Sequence, residues 1–173
     1  MFQSSRSRVF GLLVLILVSS ELPASDGLTS IDTGYTISKV RSAVNREIPY
    51  LVASSYEGTV LGVSFEGKIS WKNALSGFVN RDLWCADLTG DGADEILAAN
   101  ADGSVYCLDA ASGEHAWRFR AAPQDRQMGA FEQLESVWPL FGTLLVHDDK
   151  VYCAAGRNAN VNRGFFLYQL DIN

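Results

Sequence analysis

Two stretches of this chain superimpose at a spacing of forty-five residues, and no other feature limits its fold as strongly. Leu51-Val52-Ala53-Ser54-Ser55-Tyr56-Glu57-Gly58-Thr59-Val60 lies over Ile96-Leu97-Ala98-Ala99-Asn100-Ala101-Asp102-Gly103-Ser104-Val105. After one extra residue the match resumes, with Gly67-Lys68-Ile69-Ser70-Trp71 over Gly113-Glu114-His115-Ala116-Trp117. A unit of that length, made of short β-rich runs and Gly turns, holds four antiparallel strands and cannot bury both faces alone. Such units must stack on one another.

The second unit reads most clearly. Its strands are expected at Leu83–Asp87, Glu95–Asn100, Ser104–Asp109 and Glu114–Phe119, with Asp102-Gly103 as a hairpin turn. In the first unit the matching strands fall near Tyr35–Arg41, Tyr50–Ser55, Thr59–Phe65 and Lys68–Lys72. A third unit begins near Leu140, with strands at Thr143–His147, Val151–Ala155 and Phe165–Asp171. There Tyr168, Leu170 and Asp171 repeat Tyr106, Leu108 and Asp109, and insertions at Ala121–Glu135 and Arg157–Arg163 add length. No fourth strand follows in that unit.

The fold class is therefore all-β: four-stranded antiparallel blades of a β-propeller, in an incomplete ring of about three. The boundaries are a linker at 25–34 and a partial propeller at 35–173. Within it, blade 1 covers about 35–72, blade 2 about 83–119, an insertion 120–139 and an incomplete blade 3 about 140–173. Propellers close with about four to eight blades. The expectation is a fragment of a larger repeat protein, or one part of an assembly that supplies the remaining blades.

Asp87-Leu88-Thr89-Gly90-Asp91-Gly92-Ala93-Asp94-Glu95 joins the first two strands of the second unit. Oxygen-bearing side chains stand at its first, third, fifth and ninth places, and Gly92 supplies the turn at the sixth. A hard cation takes several oxygens from such a tightly wound backbone. Calcium would be held by the side chains of Asp87, Thr89, Asp91 and Glu95 and by the carbonyl of Ala93, with Asp94 pointing away. An EF-hand is excluded, because the twelfth place, where a bidentate Glu is needed, is Ala98. The other reading is an acidic, Gly-rich connection whose Asp side chains satisfy themselves. In the first unit Ser42, Arg46 and Tyr50 replace Asp87, Asp91 and Glu95, so one calcium is expected rather than two.

A length of 173 residues suits one domain, and 47 % apolar residues suffice for a core. The net charge of −6, with no Lys/Arg cluster, argues against a nucleic-acid surface. Residues 1–24 read as a signal-peptide helix: Arg6 and Arg8 form a basic start, Val9–Val18 an apolar run, and Leu22-Pro23-Ala24 a small-residue cut. The run is too short for a permanent span. The product is expected to be exported, to the periplasm, the cell envelope or the outside, with no membrane span after cleavage. Cutting after Ala24 removes two Arg and Glu21, giving −7. Cys85, Cys107 and Cys153 are odd in number, so they cannot all pair within the chain. They lack zinc-type spacing and suit small apolar strand positions.

Cys107-Leu108-Asp109-Ala110-Ala111-Ser112-Gly113-Glu114-His115-Ala116-Trp117 resembles the repeat of the PQQ-binding-like β-propellers. Those carry a small residue, then Asp, then Thr/Ser-Gly, then Trp; Cys107, Asp109, Ser112, Gly113 and Trp117 occupy these places. The resemblance implies a structural Trp that docks blade against blade, a part taken by Trp71 and Trp117. The Asp87–Glu95 loop resembles the calcium loop of FG-GAP and VCBS propellers, with Thr89 in place of the commoner Asp or Asn. Together the resemblances cover about Tyr35 to Asp171. Quinoprotein dehydrogenases of this fold hold PQQ and calcium at the ring centre, with a catalytic Asp, a stacking Trp and often a vicinal disulfide. No adjacent cysteines occur here, and no catalytic residue matches.

Other catalytic patterns are missing as well. There is no GxSxG and no phosphate-cradling Gly loop, and His115 and His147 lie on separate strands as exposed positions. The insertion from Ala121 to Trp138 is the best place for a specific contact, holding Arg126, Phe131, Gln133, Glu135 and Trp138, with Pro139 behind. It reads either as an aromatic and charged groove or as a short amphipathic helix covering a blade. Phe131, Leu134 and Trp138 stand at i, i+3 and i+7 for the latter. The chain reads as an exported, calcium-stabilised propeller segment that binds a protein or carbohydrate, or acts as a scaffold. The alternative is the N-terminal part of a PQQ-dependent dehydrogenase whose active site lies elsewhere.

Overall fold

The computed structural model describes residues 30–130, 132–142 and 144–171. The expected signal helix lies outside the described residues. Within them all regular structure is β. Blade 1 is β1 (Ile37–Asn45), β2 (Ile48–Ser55), β3 (Val60–Val63) and β4 (Ile69–Asn73). Blade 2 is β5 (Asn80–Ala86), β6 (Glu95–Asn100), β7 (Ser104–Asp109) and β8 (His115–Arg120). A two-stranded hairpin follows, β9 (Gln127–Ala130) and β10 (Gln133–Ser136), and then β11 (Leu145–His147), β12 (Lys150–Ala155) and β13 (Phe166–Asp171) form a three-stranded blade 3. Every pairing is antiparallel and each sheet follows chain order, with β1 beside β5 at the inner edge.

The apolar run of β6 shows why the blades stack. Ile96 and Ala98 enter the core shared with blade 1, beside Ala43, Val52 and Val60. Leu97 and Ala99 point the other way, into the core shared with Val151, Cys153 and Ala155 of blade 3. A strand covered on both faces reads as a continuous hydrophobic run rather than an alternation, and the two alanines keep the sheets close. Asp82 on β5 ties all three blades together. It is 1 % exposed, and it accepts from Lys39 Nζ at 2.5 Å and from the Leu144 amide at 2.8 Å.

The repeat residues sit where blades meet. The Trp71 ring lies against Gly62 of its own blade and Gly113 of the next. Its indole N–H donates to the Ala110 carbonyl at 3.0 Å, and Asn73 Nδ2 donates to the Gly113 carbonyl at 2.9 Å. Asp109 shapes the receiving turn: its Oδ1 accepts from the Ser112 hydroxyl at 2.7 Å and the Ser112 amide at 2.8 Å. The Ser112 hydroxyl and then its amide hold the Asp109 carboxyl below its ordinary value. Trp117 packs on the core between blades 2 and 3.

Two expectations are corrected. β1 runs on to Asn45 and turns into β2 through Arg46 and Glu47, at φ 45° and 74°. That two-residue turn explains why blade 1 has no acidic loop. The amphipathic-helix reading of the insertion fails, because β9 and β10 pair around Glu132 at φ 63°. Leu134 is 59 % exposed while Trp138 is buried, so the two share no face; Phe131 lies outside the described residues. No helix among the described residues is long and apolar enough to cross a membrane.

Candidate functional site

Successive connections of an antiparallel sheet lie at opposite ends of its strands. The acidic loop joins β5 to β6, whereas the second insertion joins β12 to β13, the connection equivalent to β6–β7. The first insertion reaches the same end, where the Ser136 amide donates to the Ala101 carbonyl in the β6–β7 turn at 2.8 Å. The expected metal residues and the expected contact residues therefore occupy opposite faces.

In the acidic loop the carboxylates turn toward the loop's own backbone. Asp87 accepts from the Gly90 and Gly92 amides at 2.7 and 2.9 Å, and Asp91 from the Ala93 amide at 2.9 Å. Glu95 accepts from the Leu88 amide at 2.8 Å and from the Thr89 hydroxyl at 3.3 Å. The donor chemistry suits a hard cation. Among the described residues, however, no three His, Cys, Asp or Glu side chains are arranged to hold a metal. Asp94 does not simply point away, since its Oδ2 accepts from the Val44 amide of blade 1 at 2.7 Å. The Asp94 amide donates back to the Val44 carbonyl at 2.8 Å, and the Arg46 amide to the Gly92 carbonyl at 2.9 Å. The loop thus clasps the β1–β2 hairpin of the neighbouring blade. Beneath it Tyr50 lies partly buried with its hydroxyl unpartnered among the described residues, and burial raises its pKa.

At the other face the two insertions enclose a groove of about 290 Å³, lined by Pro123, Gln124, Arg126, Trp138, Asn162 and Arg163. Trp138 is 4 % exposed, and its indole N–H donates to the Asn162 carbonyl at 2.7 Å. The Arg126 guanidinium lies 5.9 Å from the centre of the Trp138 ring, a cation–π distance. Asn162 and Arg163 stand at φ 55° and 68° in a turn closed by the Gly164 amide on the Val161 carbonyl at 3.1 Å. Left-handed non-glycine residues cost free energy and concentrate at ligand-contacting loops. Among the described residues neither Arg126 nor Arg163 enters an ion pair.

Of the insertion residues singled out from sequence, Arg126 and Trp138 reach the groove. Gln133 is exposed on the hairpin, and Glu135 is buried behind it. Asn162 and Arg163 were visible only as extra length, because nothing local marks a turn whose partner lies twenty-four residues earlier.

Residues 50–156 match the family model described as the lambda-carrageenase beta-propeller domain. The chain is similar to lambda-carrageenases of Pseudoalteromonas carrageenovora and of Pseudoalteromonas sp, 42 % identical over 108 residues in each. That alignment covers 62 % of this chain but 11 % of either relative, so the chain spans about a tenth of their length. Among solved structures it is similar to BamB from Moraxella catarrhalis, with 20 % identity, a TM-score of 0.49, and coverage of 71 % of this chain and 30 % of that one. With the blades and the family model in agreement, the chain belongs to the lambda-carrageenase β-propeller domain family.

Proposed function

We propose that this chain is a segment of an exported propeller that serves as a binding and scaffold module, with the groove between its insertions taking a stretch of carbohydrate. The observation carrying this reading is the groove, lined by Trp138 and by two cations, Arg126 and Arg163, that enter no ion pair among the described residues. Guanidiniums pair with hydroxyl or anionic substituents, and the buried Trp138 ring backs Arg126 from behind. The relatives' name makes lambda-carrageenan the first ligand to try. Export is supported by the basic start, apolar run and small-residue cut of residues 1–24. The remaining blades, in a longer chain or an assembly, would cover the outer face of blade 3, where Leu145 and Leu167 are 52 % and 77 % exposed.

Calcium belongs to the same proposal. Asp87, Thr89, Asp91 and Glu95, with the Ala93 carbonyl, would hold it, and its charge would offset the carboxylates gathered at that corner. It would strengthen the clasp on blade 1 and stand away from the groove.

The test is titration of the full chain with lambda-carrageenan. Arg126→Ala and Arg163→Ala should each weaken binding by about tenfold. Equal affinity in all three proteins removes the groove from the account. The dehydrogenase alternative predicts dye reduction when PQQ and an alcohol are supplied, and the module reading predicts none.

A further inference from the structure

The two walls of the groove come from separate insertions, and one buried carboxylate joins them. Glu135 on β10 is 1 % exposed. One of its oxygens accepts from the Arg81 guanidinium on β5, and the other from the Arg157 guanidinium in the β12–β13 connection. Both guanidinium carbons lie 4.9 Å from the centre of the Phe141 ring. An inner strand, both insertions and the segment leading to β11 thus meet at one point. Among the described residues the first insertion's end is also tied to the second by neutral bonds: the Trp138 indole on Asn162, and the Gly156 amide on the Pro139 carbonyl at 3.1 Å.

Charge decides what this cluster does. The Glu135 carboxylate gives each guanidinium a counter-ion oxygen, which is what makes the two cations tolerable in a half-buried place. Without that carboxylate Arg157 loses its counter-ion beside the Phe141 ring. Arg81 is held on a paired strand, whereas Arg157 sits on a connection, so Arg157 is the one to swing away. It would carry with it the segment that bears Asn162 and Arg163.

We propose that Glu135 is the positioning residue of the groove, holding the Asn162–Arg163 wall in register with the Arg126–Trp138 wall without touching ligand. For its ligand the inference rests on the carbohydrate reading, but the clamp itself can be read without any ligand. The experiment is hydrogen–deuterium exchange by mass spectrometry on the full chain, paired with lambda-carrageenan titration. In Glu135→Gln, amides of residues 157–164 should exchange at least about tenfold faster, while those of β6 and β7 keep wild-type protection. Affinity for lambda-carrageenan should fall by about tenfold at a temperature where the variant is fully folded.

If Glu135→Gln fails to fold, Arg157→Gln takes its place, since it leaves a neutral Arg81–Glu135 pair and removes only the tie to the second wall. The same local gain in exchange is then expected. Unchanged exchange over 157–164, or a loss of protection spread evenly over all blades, overturns the proposal. Faster exchange there together with no carrageenan binding by the wild type sustains the clamp and overturns the carbohydrate reading instead. A purely structural ion pair would lower the melting temperature and leave the affinity of the folded protein as it was, and that result also overturns the proposal.

Discussion

Gly113→Ala tests how the blades are joined. A Cβ built on Gly113 would stand 2.3 Å from Trp71 Cε3, and Gly113 has φ +71°. The backbone part, a non-glycine residue forced into the left-handed region, costs about 1–2 kcal/mol. The steric part is settled by moving Trp71, which breaks the indole bond to Ala110 and costs about 0.5–1.5 kcal/mol, with lost ring packing in addition. The sum is about 2–4 kcal/mol, or a fall in Tm of roughly 5–15 °C for a chain of this size. Gly77→Ala is the control: φ is +76° and nothing lies within 4 Å of its Cβ, so only the backbone part should appear. Urea unfolding of Gly113→Ala, Trp71→Ala and the double variant then isolates the contact. In the Trp71→Ala background, Gly113→Ala should cost no more than Gly77→Ala does. An undiminished cost there would refute the reasoning that Trp71 docks on this turn.

The remaining predictions concern the loop, the inner strands and the thiols. Calcium at about 100 times its Kd should stabilise the wild type by about 2.7 kcal/mol, and Asp91→Ala should abolish the rise in Tm; a wild-type Tm indifferent to chelator defeats the metal assignment. Asp82→Ala should cost about 3 kcal/mol in urea unfolding, because it strands the buried Leu144 amide and unpairs Lys39; a loss under about 1 kcal/mol would show that the inner strands do not depend on it. Burial pushes the Cys107 thiol from 9.0 up to about 12 and that of Cys153 up to about 11. Because the folded values are raised, this stability is fully present below pH 9.0 and is lost as pH climbs toward 11–12. Native protein at pH 8 should resist iodoacetamide at both positions, and rapid labelling there would contradict the buried assignment.

Much of the fold was legible because its signals are local. The turns at Asp102-Gly103 and Ser112-Gly113 need residues that sit within a few positions of each other. The acidic loop was legible as a turn for the same reason, and its Asp side chains do bind amides two to five residues on. Its hold on Val44, fifty residues away, was not. The helix reading of the insertion rested on only three apolar positions. Gly129 weakened it, and pairing of Gln127–Ala130 with Gln133–Ser136 overrode it.

Sequence alone determined that this chain builds repeated four-stranded sheets, because strand runs, turn residues and a period in the mid-forties are written along the backbone. It also marked where extra length would lie. Tertiary structure alone decided that the two insertions face each other across a groove, and that Glu135 meets arginines fifty-four and twenty-two residues away. Such contacts depend on how stacked blades bring distant segments together, and no local pattern of residues encodes the distance between two loops.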